Sequence, residues 1–147
     1  MGVGAGLRPA PARAARGRRD WLRIWGPVAL WMALIFALSA VPDIPHHHGL
    51  PHARNRWLDD SMRTVAHACE YAILSALVWR ALARKRAAMV AAAWTVAWAL
   101  TYAALDELHQ RFVPGRTCSL EDWSVDLVGI VLALAVLLVM RAFRKRA

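Results

Sequence analysis

Residues 106–126 read DELHQRFVPGRTCSLEDWSVD, and this polar stretch lies between two apolar runs. Its ionisable side chains are Asp106, Glu107, His109, Arg111, Arg116, Glu121, Asp122 and Asp126. Ionisable groups are costly to hold beside a membrane, and where they occur they usually have a function. The stretch therefore predicts a polar site at one face of a small membrane protein.

The composition of the whole chain fits apolar membrane spans with basic ends. Hydrophobic residues make up 59% of the 147 residues, and the formal net charge is +9. The mean hydropathy is +0.33 and the pI is about 11.2. Such a pI would also suit a soluble nucleic-acid-binding protein. The basic residues, however, lie at the ends of apolar runs and form no stripe along a helix, so we expect no nucleic-acid partner.

Four runs are long and apolar enough to cross a bilayer as helices. They cover residues 24–41, 65–83, 87–105 and 122–140. We therefore expect an all-α fold, an integral membrane bundle of four transmembrane helices within residues 21–141. Residues 1–20 are rich in Ala, Arg, Gly and Pro, which predicts a disordered basic tail. Residues 142–147 form a second basic tail.

The loop between the first two spans, residues 41–64, contains a histidine tract made of His46, His47, His48 and His52. Such a tract can bind metal, but a loop without fixed geometry makes a poor site, so we interpret it as solvated. Cys69 and Cys118 have neither a CxxC nor a zinc-ligand spacing. We favour two unpaired thiols, with a disulfide as the alternative.

Lysine and arginine are distributed unevenly between the two sides of the spans. Six precede the first span or lie at its start, four lie around the turn between spans two and three, and four follow the fourth span. The other two loops hold five. Cytoplasmic loops carry the excess of basic residues, so we expect both termini in the cytoplasm. The histidines and the acidic residues other than Asp20 then lie on the outer side.

The polar stretch also carries a specific signature. Its elements are Asp106-Glu107-Leu108-His109-Gln110, then Phe112-Val113-Pro114-Gly115-Arg116, then Ser119, Asp122, Asp126 and Gly129. Together with His67, Glu70-Tyr71, Ser39 and Pro42, these residues resemble the VanZ-like family of bacterial integral membrane proteins over nearly all of residues 22–140. Where that family usually has an Asp–Lys pair, this chain has Arg63 and Thr64, so no role is carried over to that pair.

The resemblance implies a multi-pass protein of the bacterial cell (inner) membrane with a role in the cell envelope. The family is named for a member linked to resistance against the glycopeptide antibiotic teicoplanin, so a link to antibiotic resistance is expected from the resemblance alone. It implies no agreed mechanism and no agreed cofactor, and none is assigned.

An antiparallel bundle with short turns would bring three helix ends together at the outer face. On the third helix Asp106, His109 and Gln110 share one face by their spacing, whereas Glu107 and Glu121 are predicted to face solvent. The residues expected to bind a ligand are Arg116, His109, Gln110, Asp106, Asp122, Asp126, Glu70 and Tyr71.

Three functions suit this cluster. We expect recognition of a lipid-linked or glycopeptide-type ligand, with the bilayer and an envelope lipid or wall precursor as partners. An enzyme is the first alternative, with Arg111 and Arg116 holding phosphate and His109 or His67 with Asp106 as acid and base. An interhelical polar staple is the second. Two histidines with carboxylates could alternatively hold a divalent metal ion, but no HExxH spacing is present, so we assign no metal ligand.

Overall fold

A computed structural model describes residues 10–42, 56–116 and 120–146, with side chains for residues 17–42, 61–116 and 120–146. The described chain forms four helices: α1 (Ala10–Ser39), α2 (Arg56–Leu82), α3 (Ala88–Gln110) and α4 (Leu120–Arg144). Each is long and apolar enough to cross a membrane, which confirms the predicted fold class. The histidine tract and Cys118 lie outside the described residues.

Two helices begin earlier than the sequence predicts. α1 begins at Ala10, inside the segment predicted to be a basic tail. α2 begins at Arg56, inside the segment predicted to be a loop. Both extensions have a local cause. Residues 12–20 contain mainly Ala and Arg, which are strong helix formers, Pro11 is tolerated in a first turn, and residues 56–64 contain neither Gly nor Pro.

Contacts between helix ends establish an antiparallel bundle. They are Ser39–Asp106 between α1 and α3, Ile24–Arg80 between α1 and α2, and His67–Asp126 between α2 and α4. We call the end where α1 and α3 stop, and α2 and α4 start, the polar end. The opposite end, where α1 begins and α4 stops, is the basic end. The start of α1 and the end of α4 therefore lie on the same side of the bundle.

The third helix packs against α1, α2 and α4. Its buried face is built from small residues: Ala91, Ala92, Thr95, Ala99 and Ala103. Small side chains let membrane helices approach closely. Large apolar side chains instead cover the outside of the bundle, with Leu30 and Leu132 among the exposed ones, as expected of a surface that faces lipid.

A single glycine allows a close approach of α2 and α4. A Cβ atom built at Gly129 would overlap the backbone carbonyl oxygen of Ala68 and lie 2.9 Å from its carbonyl carbon. No real Cβ tolerates such contacts with backbone, so any larger residue at this position would separate the two helices. Because α2 and α4 form the most extensive helix pair in the described chain, this position controls the packing of the bundle.

We predict that Gly129→Ala destabilises the bundle, since its methyl group must displace helix backbone. Overpacking costs about 1–3 kcal/mol, which should appear as a lower midpoint of thermal unfolding in detergent. The control is Gly17→Ala, whose added Cβ has no atom within 4 Å and which favours the helix. Equal midpoints for the two variants would contradict the close packing.

The orientation of the bundle stays a prediction and can be tested with two exposed arginines at opposite ends. In a background with Cys69→Ala and Cys118→Ala, we expect a membrane-impermeant maleimide to label Arg111→Cys in intact cells. Arg84→Cys, in the turn at the basic end, should be labelled only after the membrane is opened. Both side chains are exposed, so burial does not bias the comparison. The reverse pattern would invert the orientation.

Candidate functional site

The polar end of the bundle contains a group of buried polar side chains, which we call the polar cluster. Its members are Ser39 from α1, His67 from α2, Asp106, Glu107 and Gln110 from α3, and Asp126 from α4. All four helices therefore contribute to it. Buried polar and charged groups are costly unless they are paired or bound, so the contacts of each member show what the cluster can do.

The α1 side of the cluster is a hydrogen-bonded group centred on Asp106. The Ser39 hydroxyl donates to Asp106 Oδ2 at 2.8 Å, and the Gln110 amide donates to the same oxygen at 3.0 Å. Both donors are neutral. Among the described residues, Asp106 Oδ1 and Gln110 Oε1 are buried and have no hydrogen-bond partner. This group therefore presents acceptor atoms that nothing in the described chain satisfies.

The α2–α4 side of the cluster brings an imidazole to a carboxylate. His67 Nδ1 lies 3.3 Å from Asp126 Oδ1, and both side chains are buried. Glu107 of α3 completes a group of three, in which one ligand-type atom from each residue lies within 4.8 Å of the others. His67 is thus beside Asp126, whereas the sequence had paired it with Asp106 as acid and base.

The position of Glu107 differs from the one predicted from helical spacing. It was expected to face solvent, but only 4% of its surface is exposed. Neighbouring residues on a helix point about 100° apart, and α3 is packed against three other helices. Asp106 can therefore face α1 while Glu107 faces α2 and α4. Glu121, which was also expected to face solvent, is exposed.

Three other predicted site residues of the polar end lie around the cluster. The His109 ring stacks on Phe36 with centroids 4.3 Å apart and is half-buried. Arg116 donates to the backbone carbonyls of Leu38 and Val41 at 3.4 and 3.3 Å, so it binds the end of α1. Asp122 lies in the first turn of α4.

Arg63 provides a contact that the sequence did not suggest. It stands at the first position of the Asp–Lys pair that the VanZ-like family usually has. Its Nη2 lies 2.7 Å from Asp122 Oδ2. The pair is partly exposed, so it contributes at most about 1 kcal/mol. It nevertheless joins α2 to α4 outside the polar cluster, and it compensates the charge of Asp122.

Glu70 and Tyr71 lie one turn further into the bundle than His67. The Glu70 carbonyl accepts a hydrogen bond from the Trp31 indole at 2.9 Å, and its side chain is half-buried. The Tyr71 hydroxyl is buried and has no hydrogen-bond partner among the described residues. Its ring lies 6.4 Å from that of Tyr102, and the Tyr102 hydroxyl donates to the Met32 carbonyl at 2.5 Å.

An apolar groove of about 340 Å³ runs along α1 and α3 on the outside of the bundle. Its lining includes Met32, Trp94, Trp98, Tyr102 and Leu105. Leu105 immediately precedes Asp106 in the chain, so the groove extends along the outside of the bundle to the level of the polar cluster. Neither the groove nor the role of Ser39 was deduced from the sequence, because both depend on how α1 packs against α3.

We predict that Ser39→Ala lowers the stability of the bundle, because the buried Asp106 carboxylate loses one of its two donors. A hydrogen bond to a charged group contributes about 1.5–3 kcal/mol, and thermal unfolding in detergent measures the loss. The matched control is Ser124→Ala, whose exposed hydroxyl bonds only to its own helix at Leu120. Equal losses in the two variants would show that the Asp106 contact is not a stabilising one.

Comparison with known proteins agrees with this architecture. A search of the curated proteins finds no match, and a search of the solved structures finds none either. The sequence model of the family described as VanZ/LLP1 matches residues 24–141. This range covers most of the chain, including all members of the polar cluster and the greater part of each helix. The protein is therefore a multi-helix membrane protein that belongs to the VanZ/LLP1 family.

Proposed function

We propose that this protein binds a lipid-linked ligand of the cell envelope, with the ligand headgroup in the polar cluster and its tail in the apolar groove. The observation that carries the proposal is that the groove and the polar cluster lie at the same level of the bundle. Leu105 lines the groove and the next residue, Asp106, belongs to the polar cluster, so the headgroup of an amphiphile in the groove would lie at the level of Asp106. The ligand would be reached from the outer face of the bacterial cell membrane.

The atoms of the cluster favour a headgroup rich in hydroxyl groups. Asp106 Oδ1 and Gln110 Oε1 are acceptors without a partner in the described chain, and sugar hydroxyls are donors that would satisfy them. A bare phosphate fits less well. Arg116 is engaged by the α1 carbonyls, and the nearest side chains are carboxylates, which repel anions.

The partly unsatisfied cluster also distinguishes binding from a purely structural role. A staple between helices would use its polar groups on one another, since an unpaired buried polar group costs about 1–3 kcal/mol. Tyr71, Asp106 and Gln110 each retain a buried atom without a partner among the described residues. Such atoms are expected where a ligand supplies the missing hydrogen bonds.

The groove favours a lipid-linked ligand over a free glycopeptide. It is lined mainly by aromatic and aliphatic side chains, and its tryptophans are exposed on the outside of the bundle, where acyl or polyprenyl chains lie. A water-soluble peptide antibiotic without an apolar tail would not bind to this surface. Any link to teicoplanin resistance would then act through the lipid-linked ligand.

A second candidate, acid–base catalysis on that ligand, is favoured by one contact. A carboxylate beside an imidazole can orient it as a proton acceptor, and Asp126 lies 3.3 Å from His67. Catalysis and binding differ in what leaves the site, because only catalysis changes the mass of the headgroup.

We expect the protein purified in mild detergent to retain a polyprenyl or acyl lipid that carries a sugar headgroup, detected by mass spectrometry of extracted lipid. Ala97→Phe should lose most of it, because Ala97 lines the groove and the added ring fills the tail site. The control is Ala135→Phe, an equal increase in size on the exposed surface of α4, which should retain the lipid.

Asp106→Asn tests the headgroup site apart from the tail site. It preserves the shape of the side chain but removes its charge, so sugar-bearing lipid should be lost in preference to ordinary phospholipid. Retention of lipid only in the proportions of the surrounding membrane, in wild type as in the variants, would refute the proposal. A retained headgroup of altered mass would favour the catalytic candidate.

A further inference from the structure

The polar cluster contains a second arrangement that headgroup binding does not require. His67, Glu107 and Asp126 come from three different helices, are all buried, and have ligand-type atoms within 4.8 Å of one another. We propose that these three side chains bind a divalent transition-metal ion. No spacing within one helix could reveal the site, because each ligand comes from a different helix.

The separation of the atoms suits coordination of a common ion as well as a hydrogen bond. His67 Nδ1 and Asp126 Oδ1 are 3.3 Å apart. Two ligand atoms about 2.1 Å from one metal ion, at the tetrahedral angle, lie about 3.4 Å apart. The observed spacing matches that value.

Charge gives a second, independent argument. Asp106, Glu107 and Asp126 are three carboxylates buried within one end of an apolar bundle, and the two donors of Asp106 are neutral side chains. Charges buried in such surroundings need compensation or a metal. Of the described arginines at this end, Arg63 contacts Asp122, Arg116 contacts the α1 backbone, and Arg111 is exposed. A divalent ion would balance two of the carboxylates.

The atoms around the three ligands fit a metal with open positions. Asp106 Oδ1 is nine-tenths buried, lacks a partner in the described chain, and lies next to Glu107 on α3. The Tyr71 hydroxyl, one turn from His67 on α2, is also buried without a described partner. Three protein ligands leave room for a further one, such as a water or a ligand hydroxyl.

The ligand types restrict the identity of the ion. Ca²⁺ prefers six to eight oxygen ligands, and Mg²⁺ keeps several waters and prefers oxygen. An imidazole with two carboxylates suits Zn²⁺ or Mn²⁺ better. In the proposed function, which this step rests on, the ion would supply the positive charge that the cluster lacks for the phosphate of a lipid-linked headgroup.

Metal binding is measured on purified, delipidated wild-type protein with Zn²⁺, Mn²⁺ and Ca²⁺. We expect about one Zn²⁺ or Mn²⁺ per chain by elemental analysis after dialysis, and a rise in the thermal unfolding midpoint that EDTA reverses. Ca²⁺ should give neither. No ion retained and no shift of the midpoint in wild type would overturn the inference without any variant.

Glu107→Gln and Glu121→Gln make the same chemical change at a buried and an exposed position. We expect Glu107→Gln to weaken metal affinity by at least about tenfold and Glu121→Gln to leave it unchanged. Equal affinities would overturn the assignment of Glu107 as a ligand. If Glu107→Gln does not fold, the shift of the unfolding midpoint of wild type with metal still tests the metal site.

The lipid experiment separates this inference from the proposed function. Lipid retained by wild type in the presence of EDTA, with no metal bound beforehand, would overturn the metal site and leave lipid binding intact. Metal bound with no sugar-bearing lipid retained would support the metal site and overturn the proposed function. Lipid released by EDTA and restored by Zn²⁺ or Mn²⁺ would support both.

Discussion

The close contact between Gly129 of α4 and the backbone of Ala68 on α2 is the constraint on which the polar end depends. His67 directly precedes Ala68, and Asp126 lies about one turn before Gly129. Because no side chain separates the two helices here, the imidazole and the carboxylate come within 3.3 Å. A packing requirement at one small residue thus sets the geometry of the charged groups. The helix packing and the His67–Asp126 distance therefore cannot vary independently.

The third helix gives the polar end two different faces. Asp106 turns toward α1, where Ser39 donates to it, while Glu107 turns toward His67 and Asp126. The two neighbouring carboxylates therefore have separate surroundings, one with neutral donors and one beside an imidazole. With this division, the proposed headgroup and the proposed metal ion would bind to different oxygen atoms.

Sequence patterns predicted the four helices and the shared face of Asp106, His109 and Gln110 on α3, because apolar length and helical spacing are local properties. They missed the burial of Glu107, since a wheel drawn for one helix assumes one inward face and α3 has neighbours on three sides. The early start of α1 was missed because the polar composition of residues 10–20 concealed their helix propensity. Contacts such as Arg63–Asp122 depend on tertiary geometry, which no single segment encodes.

The weak apolar character of α2 has a consequence for biogenesis. Of the four helices it is the least apolar, and it packs mainly against α4 and α3. The ribosome completes α2 before α3 and α4, so the contacts of His67 with Glu107 and Asp126 form only after those later helices have been synthesised.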